Sequence, residues 1–211
     1  MYPKLQYISQ GLTPNEHLNS IRSVLDVGCL WVQLRMKNFS LYDIETTANK
    51  VKSLCNHYHA TFILNDHITI AKQCDADGVH LGLTDDKIAV ARNLLGDNKL
   101  IGGTANTLND VIQRIDEKCD YIGLGPYRHT ITKENLSPVL GIDGYKMIIS
   151  NLNHVQLKTP IYAIGGIEID DVADLINANI HGIAVSGTLT NAKNKKEMMN
   201  QFNTQLHKRT I

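Results

Sequence analysis

The residues of this sequence that are best suited to chemistry are polar side chains at the ends of short apolar runs. Gln33, Arg35 and Lys37 alternate at the end of one run, and Asn65 and Asp66 end the next. A guanidinium binds phosphate oxygens as a planar fork, and an ammonium binds them as a point charge. A carboxylate is a hard oxygen ligand of the kind that Mg²⁺ takes together with phosphate oxygens and water. This set therefore indicates a site for a polyanionic phosphate and a divalent cation.

Further polar residues follow the later apolar runs. In chain order they are His80, Gly82 and Asp85, then Thr104 and Asn106, then Thr130, Thr132 and Lys133, then Gly165 and Gly166, and finally Ser186 and Gly187. Asp85 is a second carboxylate that could share a cation with Asp66, and Lys133 is a third cation for phosphate oxygens. The glycines of AIGG and AVSG suit a second phosphate that is bound through backbone N–H groups at a helix N-terminus. Two anion sites are therefore predicted.

Each of these residues also has a plainer structural interpretation. The Gln33–Arg35 stretch alone fits a strand with outward polar side chains. Asn65 and Asp66 fit a turn, since both residue types tolerate left-handed backbone. Asp85 fits a first-turn helix acid, and His80 fits a hydrogen-bonded core histidine. The chemical interpretation requires all of them at one end of one fold.

Eight apolar runs rich in β-branched residues predict the elements that position these side chains. They cover residues 5–9, 30–35, 61–65, 77–82, 100–104, 120–125, 160–166 and 181–187. Helical segments separate the runs; in 85–96, for example, Ile88, Ala91 and Leu95 share one face. Apolar strands that alternate with helices indicate a parallel sheet covered on both faces. We therefore predict an α/β fold, a single-domain (β/α)8 TIM barrel over residues 1–211, with a doubly wound open sheet as the alternative.

Several helix ends are marked in the sequence. Thr13, Pro14 and Glu16 form the pattern of a capping box with proline at the first helical position. Gly96 and Asn179 stand where a helix would end in left-handed backbone. These signals support helices between the predicted strands.

The bulk composition limits the partners that we expect. Lys+Arg and Asp+Glu both number 21, so the net charge of zero gives no global field for nucleic acid or an anionic membrane. No window approaches the roughly 20 apolar residues of a membrane span, and residues 1–18 lack a secretory signal pattern. We expect small-molecule substrates and no nucleic-acid or membrane partner. The sequence is compatible with a homo-oligomer but fixes no oligomeric state.

The cysteines indicate the compartment. They are Cys29, Cys55, Cys74 and Cys119. They lie far apart in apolar or helical stretches, with no CxxC pair, so we interpret them as buried, reduced thiols. Such thiols are typical of the cytosol, and we predict a cytoplasmic protein.

The chain resembles the thiamine-phosphate synthase family from the second predicted strand to the eighth. The motifs that carry this resemblance are, in order, VQLRMKN, FILNDHITIAKQCDADGVHLGLTD, IGGTANT, DYIGLGPYRHTITK, VLG, PIYAIGGI and GIAVSG. The family is a TIM barrel that joins 4-amino-2-methyl-5-hydroxymethylpyrimidine diphosphate to 4-methyl-5-(2-phosphoethyl)-thiazole and releases pyrophosphate. These substrates are called the pyrimidine diphosphate and the thiazole phosphate below.

The resemblance implies a role for each matching position. Gln33 would contact the pyrimidine, and Asp66 and Asp85 would bind Mg²⁺. The residues implied for the diphosphate are Arg35, Lys37, Asn65, Thr104 and Lys133. The residues implied for the thiazole phosphate are Thr130, Thr132, Gly166, Val185 and Ser186. The implied catalytic residues are Arg35, Lys37 and Lys133, because they stabilise the departing diphosphate.

The implied reaction is a dissociative substitution. The amino group of the pyrimidine pushes electron density toward the reacting carbon, so its C–O bond to diphosphate breaks early and leaves a cation. The cationic side chains and Mg²⁺ stabilise the departing charge, and the thiazole nitrogen captures the cation. The correct positioning of the two substrates supplies the rest of the rate acceleration, and no protein nucleophile is needed.

Three positions depart from the family pattern. Met36 replaces a common glutamate, and strand alternation should turn it away from the site. Glu168 puts a negative charge near the implied thiazole phosphate, which would weaken binding unless the side chain points outward as a first-turn helix acid. Arg128 stands where apolar residues are more usual, and both a phosphate contact and a surface cation fit it.

The resemblance leaves three alternatives. The first is a thiazole tautomerase-like paralogue on the same barrel, whose chemistry calls for an acid/base histidine near the fifth strand. The second is another phosphate-binding barrel, from tryptophan or histidine biosynthesis, that lacks the TxTK motif. The third is a non-catalytic relative that binds thiamine phosphates. The presence of Asp66, Asp85 and Lys133 favours the synthase.

Overall fold

Eight parallel strands form a closed barrel in the computed structural model, which describes residues 2–129 and 138–208. Each strand pairs with its neighbours in chain order, and the last pairs with the first. The predicted TIM barrel is confirmed. The open-sheet alternative is wrong, because Leu5 and Tyr7 of the first strand are in register with Ile183 and Val185 of the eighth.

Every strand lies within the predicted run or extends it by one residue. The strands are β1 (Leu5–Ile8), β2 (Trp31–Leu34), β3 (Thr61–Asn65), β4 (Gly78–Leu81), β5 (Leu100–Ala105), β6 (Tyr121–Leu124), β7 (Ile161–Ile164) and β8 (Gly182–Val185). The α-helices in the described part of the chain are α1 (Pro14–Leu25), α2 (Leu41–Tyr58), α3 (Ile68–Gln73), α4 (Ile88–Leu95), α5 (Leu108–Asp116), α6 (Gly141–Ser150), α7 (Val172–Asn177), α8 (Gly187–Thr190) and α9 (Lys195–His207). Short 3₁₀ helices cover Gln156–Lys158 and Ile169–Asp171.

Both faces of the barrel sheet are buried. On β2, Val32 and Leu34 belong to the main core, whereas Trp31 and Gln33 alternate with them and therefore face the barrel interior. The interior contains an aromatic floor formed by Trp31, Ile63, Tyr121 and Tyr162. The ring centroids of Trp31 and Tyr121 lie 4.9 Å apart, in the edge-to-face arrangement that aromatic pairs prefer. This floor fills the barrel below Gln33 and leaves the carboxyl end of the strands as the open end.

The predicted helix ends are largely confirmed. Thr13 Oγ1 accepts a hydrogen bond from the Glu16 N–H at 3.2 Å. The Glu16 carboxylate does not return to Thr13; it accepts from the Leu12 N–H at 2.7 Å, one residue earlier than the capping box requires. Gly96 ends α4 with φ 83°, and Asn179 follows α7 with φ 63°, so both have the positive φ expected at a helix end.

The burial of the cysteines agrees with the expectation from the sequence. All four cysteines are buried and outside disulfides. Across residues 2–129 and 138–208, no helix combines the length and the apolar composition that crossing a bilayer requires.

Candidate active site

The barrel brings the described candidate residues to one end, because the carboxyl ends of parallel strands all open on the same face. Gln33, Asn65, Thr104 and Val185 lie within strands, and Arg35, Lys37, Asp66, Asp85, Gly166 and Ser186 lie in the segments that follow them. This end is called the barrel mouth below. The remaining candidates, Thr130, Thr132 and Lys133, lie outside the described residues.

A cation and two carboxylates are in contact on the β2–β4 side of the mouth. Lys37 Nζ forms an ion pair with Asp66 Oδ2. Asp66 has left-handed backbone, with φ 65°, and its N–H donates to the carbonyl of His80 at 2.9 Å. Asp85 Oδ2 accepts from the Gly82 N–H at 2.6 Å. The turns after β3 and β4 therefore present their carboxylates to each other.

The protonation of these two carboxyl groups is linked. Burial raises the pKa of Asp66, and a hydrogen bond shared with Asp85 raises it further, against the opposing effect of Lys37. Burial would also raise the pKa of Asp85, but its bonds to Asp66 and Gly82 and nearby positive charge lower the pKa overall. A proton is therefore held more tightly on Asp66 than on Asp85. Two carboxylates this close favour a shared proton or a bound cation.

This donor set fits Mg²⁺ in one respect. Asp66 and Asp85 supply hard oxygens, and Mg²⁺ is commonly held by one or two carboxylates with phosphate and water completing the octahedron. No group of three or more His, Cys, Asp and Glu residues suited to a metal occurs in the described ranges. The pair alone offers two carboxylate ligands, and phosphate oxygens and water would complete the octahedron of Mg²⁺.

The backbone of Arg35 is held by Ser9 and His17, two residues that were not predicted from the sequence as site residues. Its backbone N–H donates to Ser9 Oγ at 3.1 Å, and Ser9 Oγ is 2.8 Å from His17 Nδ1. Ser9 and His17 are both buried. Burial lowers the pKa of the Arg35 guanidinium, and the charges of Asp66 and Asp85 offset part of this effect. The hydroxyl of Ser9, just after β1, and the ring nitrogen of His17 on α1 thus position the start of the cationic segment.

A chain of buried hydrogen bonds crosses the barrel between two candidate residues. Gln33 Nε2 donates to Gln6 Oε1 at 3.3 Å, and Gln6 Nε2 donates to Tyr121 OH at 3.4 Å. His80 Nδ1 lies 3.2 Å from the same hydroxyl, and His80 Nε2 lies 3.0 Å from Thr104 Oγ1. This interior network connects Gln33 to Thr104 directly above the aromatic floor. Because Gln33 Nε2 donates to Gln6, which is itself held by Tyr121, the network fixes the orientation of the Gln33 amide.

The network also settles the position of His80 and shows what sequence reasoning missed. His80 is buried and hydrogen-bonded, as the core-histidine interpretation predicted. Its Thr104 contact nevertheless places it at the base of the mouth. Gln6 and Tyr121 were not predicted as site residues. The available signal was a polar side chain at an inward position of an otherwise apolar strand.

The β7–β8 side of the mouth is built mainly from backbone. Gly165 and Gly166 have φ 93° and 71°, a region in which L side chains are strained. A Cβ on Gly166 would lie 2.4 Å from Arg128 Cγ, so only glycine fits this turn. Ser186 precedes α8, and its hydroxyl donates to Gln10 Oε1 at 3.2 Å.

The three departures from the family pattern have separate outcomes. Met36 is buried in the main core, as strand alternation predicted. Glu168 is exposed at the start of the 3₁₀ helix Ile169–Asp171, which agrees with an outward-pointing first-turn acid. Arg128 forms an ion pair with Asp171 and its side chain is 41% exposed, so it lies at the surface as a paired cation.

Comparison with known proteins places this geometry in a family. The family model for thiamine monophosphate synthase matches residues 6–189. Thiamine-phosphate synthase of Flavobacterium psychrophilum is 52% identical over 206 residues, which cover 98% of this chain and 100% of the relative. Thiamine-phosphate synthase of Flavobacterium johnsoniae is 48% identical over 211 residues, which cover 100% of both. A solved structure of thiamine phosphate pyrophosphorylase from Pyrococcus furiosus superposes with a TM-score of 0.80 at 26% identity, over 96% of this chain and 95% of that one.

Proposed function

The chain belongs to the thiamine monophosphate synthase family, and from that premise we propose that its barrel mouth condenses the pyrimidine diphosphate with the thiazole phosphate to give thiamine phosphate and pyrophosphate. The enzyme class is a transferase that forms a C–N bond. The observation that carries this proposal is the contact between Lys37, Asp66 and Asp85 opposite the glycine turn Gly165–Gly166 in one mouth. These are two anion-binding surfaces of different chemistry, and the reaction has two differently charged phosphate groups.

The β2–β4 side is proposed to hold the diphosphate. Arg35 and Lys37 neutralise its oxygens, and Lys37 exchanges its ion pair with Asp66 for the substrate when the diphosphate enters. Asn65 and Thr104 add an amide and a hydroxyl at the ends of β3 and β5. Lys133 is proposed for the same group on the strength of the family motif alone. Together these residues stabilise the negative charge of the leaving group, which is where a preorganised site gains most.

Asp66 and Asp85 are proposed to hold Mg²⁺ together with diphosphate oxygens. When bound there, Mg²⁺ neutralises negative charge on the leaving group. Two observations support this assignment. The hydrogen bond between the two carboxyl groups places their oxygens side by side, and burial together with the neighbouring Asp85 raises the pKa of Asp66. A bound cation would favour the charged form of both groups. Lys37 balances one of the two charges in the absence of the metal.

Gln33 is proposed to orient the pyrimidine. Its Nε2 is engaged by Gln6, so the amide presents a fixed edge to the mouth. The exocyclic amino group of the pyrimidine supplies electron density as the C–O bond breaks, and that bonding pair leaves with the diphosphate. The protein's part in this step is to hold the ring and exclude competing water.

The β7–β8 side is proposed to hold the thiazole phosphate through Gly166, Val185 and Ser186, with Thr130 and Thr132 assigned by the family motif. Backbone N–H groups of a glycine turn approach a phosphate closely because no Cβ intervenes. The lone pair of the thiazole nitrogen forms the new C–N bond to the carbon that the diphosphate has left. This step requires position rather than acid or base catalysis.

The cysteine thiols support a mechanism without a protein nucleophile. Burial raises the pKa of Cys29 to about 11 and that of Cys55 and Cys119 to about 12. A thiol with such a pKa stays protonated near neutral pH, and the thiolate is the reactive form. Buried reduced thiols are also typical of the cytosol, so we place the enzyme in the cytoplasm. Its proposed partners are its two small substrates.

One observation favours the tautomerase-like alternative. That chemistry calls for an acid/base histidine near the fifth strand, and His80 Nε2 lies 3.0 Å from Thr104 of β5. His80 is buried, however, and its other ring nitrogen is engaged by Tyr121. An isomerase also has no use for the paired carboxylates Asp66 and Asp85. The synthase is therefore the better supported function.

The test is an assay for pyrophosphate and thiamine phosphate. The purified chain is incubated with both substrates, with each alone, and with both in excess EDTA. We expect equal amounts of the two products only when both substrates and Mg²⁺ are present. Folded protein that releases no pyrophosphate with Mg²⁺, or that isomerises a thiazole carboxylate phosphate instead, would show that the proposed function is wrong.

A further inference from the structure

Arg128 joins the segment after β6 to the segment after β7. Its Nη1 and Nη2 donate to Asp171 Oδ2 at 2.7 Å and to Asp171 Oδ1 at 2.8 Å. Nη1 also donates to the carbonyl of Gly166 at 2.7 Å. A bidentate guanidinium–carboxylate pair defines direction as well as distance, so the side chain is held in one orientation.

The backbone reinforces this connection. The Tyr127 N–H donates to the carbonyl of Ile164 at 2.9 Å, and the Arg128 N–H donates to the carbonyl of Gly165 at 3.0 Å. The guanidinium carbon lies 5.0 Å from the centre of the Tyr127 ring. The chain after β6 therefore continues to pair with the chain after β7 beyond the last residues of both strands.

Asp171 is the fixed end of the arrangement. Its side chain is 9% exposed, and its Oδ2 also accepts from the Glu168 N–H at 2.8 Å. The Arg128 stem then runs across Gly166, whose missing Cβ leaves the space that Cγ occupies. Both terminal nitrogens of the guanidinium, Nη1 and Nη2, are therefore occupied by Asp171 and the Gly166 carbonyl.

We propose that Arg128 is a positioning residue that, through its ion pair with Asp171, holds the Gly165–Gly166 turn in the conformation that binds the thiazole phosphate. This inference rests on the proposed function, which assigns that turn to the thiazole phosphate. Two successive glycines with positive φ have many other conformations available. Without the ion pair the turn must be ordered when the substrate binds, and that cost weakens binding. The chemical step on the opposite side of the mouth is unaffected.

The test compares Arg128→Met, Asp171→Asn and the double variant in steady-state assays with each substrate varied in turn. We expect each single variant to raise the KM for the thiazole phosphate about ten-fold, with kcat and the KM for the pyrimidine diphosphate within about two-fold of wild type. The double variant should resemble the single ones, because both remove the same ion pair. Arg128→Lys keeps the positive charge but loses the bidentate contact to Asp171, so it should give an intermediate KM for the thiazole phosphate.

The matched control is Arg92→Met. Arg92 Nη2 pairs with Asp120 at 2.5 Å, and Nη1 donates to the carbonyls of Lys99 and Gly96 at 2.7 Å and 3.1 Å. This arrangement resembles that of Arg128, but it lies at the opposite end of the barrel, where β5 and β6 begin. We expect Arg92→Met to lower Tm and leave both KM values unchanged.

Different failures lead to different conclusions. If Asp171→Asn lowers the KM for the thiazole phosphate while Arg128→Met raises it, Arg128 binds the phosphate directly and the inference is overturned. An unchanged KM, or equal losses for both substrates, also overturns it. If Asp171→Asn does not fold, Asp171→Glu replaces it, because it keeps the charge but displaces the carboxylate: a raised KM for the thiazole phosphate then supports the ion pair, and an unchanged KM overturns the inference. If wild type releases no pyrophosphate, the proposed function fails. The inference about the ion pair can then still be tested by calorimetric titration of the thiazole phosphate into wild type and Arg128→Met. Equal Kd values for the two proteins would refute the inference.

Discussion

The two sides of the barrel mouth differ in what they present to an anion. The β2–β4 side ends in side chains that carry charge and touch one another, as Lys37 and Asp66 do. The β7–β8 side ends in glycine backbone, and its ion pair, Arg128 with Asp171, supports the turn from behind. On the first side a single substitution removes a charge from the site, whereas on the second it changes the shape of the turn. Substitutions on the two sides should therefore affect different kinetic parameters.

The largest effect is expected at the carboxylate pair. Asp66→Asn keeps size and tolerates the φ of 65° but removes the charge, so kcat for pyrophosphate release should fall by about 10²–10³-fold. Tm measured by differential scanning fluorimetry should not fall, because the substitution also removes a desolvated carboxylate that repels Asp85.

The matched control is Asp75→Asn. Asp75 likewise has positive φ, at 52°, and pairs with Lys99 at 2.5 Å, but at an exposed site. It should keep full activity. Retention of activity by Asp66→Asn within about three-fold would remove Asp66 from the catalytic account.

A smaller effect is expected from the glycine turn. Gly166→Ala adds a Cβ that would clash with Arg128 and strains a backbone with φ 71°. The KM for the thiazole phosphate should rise about ten-fold or more, with kcat little changed. Gly28→Ala is the control, since Gly28 has φ 93° with no atom within 4 Å of the added Cβ. It should lose about 1–2 kcal/mol of unfolding free energy and no substrate affinity. A fall in kcat alone for Gly166→Ala would contradict the division between the sides.

The interior network should have a weaker influence. Tyr121→Phe removes the hydroxyl that joins Gln6 to His80, so Gln6 Nε2 and His80 Nδ1 each lose this buried hydrogen bond. We expect a loss of about 1–3 kcal/mol in unfolding free energy and a few-fold rise in the KM for the pyrimidine diphosphate. Tyr162→Phe is matched, because its hydroxyl bonds the carbonyl of Pro3 at the closed end of the barrel. Urea unfolding and initial rates separate the two; equal KM values for both variants would exclude Gln33 orientation as the role of the network.

The smallest effect concerns the pH dependence of stability without Mg²⁺. The pKa of Asp66 is raised above the ordinary 3.8, so the folded state holds its proton to higher pH than the unfolded state does. The stability that this proton contributes is present below the ordinary pKa and is lost as pH rises through the folded-state pKa. The stability of Asp66→Asn relative to wild type should therefore increase from pH 3.8 toward neutral. A difference in Tm that stays flat or falls over this range would show that the pKa is not raised.

The fold could be predicted because its signals are local. Apolar runs mark each strand, and Gly96 and Asn179 mark helix ends by their own backbone preferences. The positions of Arg35 and Asp66 at one end of the barrel followed from strand direction alone, since parallel strands share an open end.

Contacts between distant parts of the chain could not be predicted in this way. Arg128 and Asp171 are 43 positions apart, and nothing in either neighbourhood specifies the other. Gln6 and Tyr121 are 115 positions apart, and their meeting depends on barrel closure. The roles of Thr130 and Lys133, like the single-domain organisation, stay predictions.

The most direct test of the division between the two sides is one set of initial rates of pyrophosphate release, with both substrates varied together, for wild type, Asp66→Asn and Gly166→Ala. The account predicts Mg²⁺-dependent release by wild type, a lower kcat for Asp66→Asn, and a higher KM for the thiazole phosphate alone for Gly166→Ala. Absence of release by folded wild type, or a change in the same kinetic parameter for both variants, would contradict it.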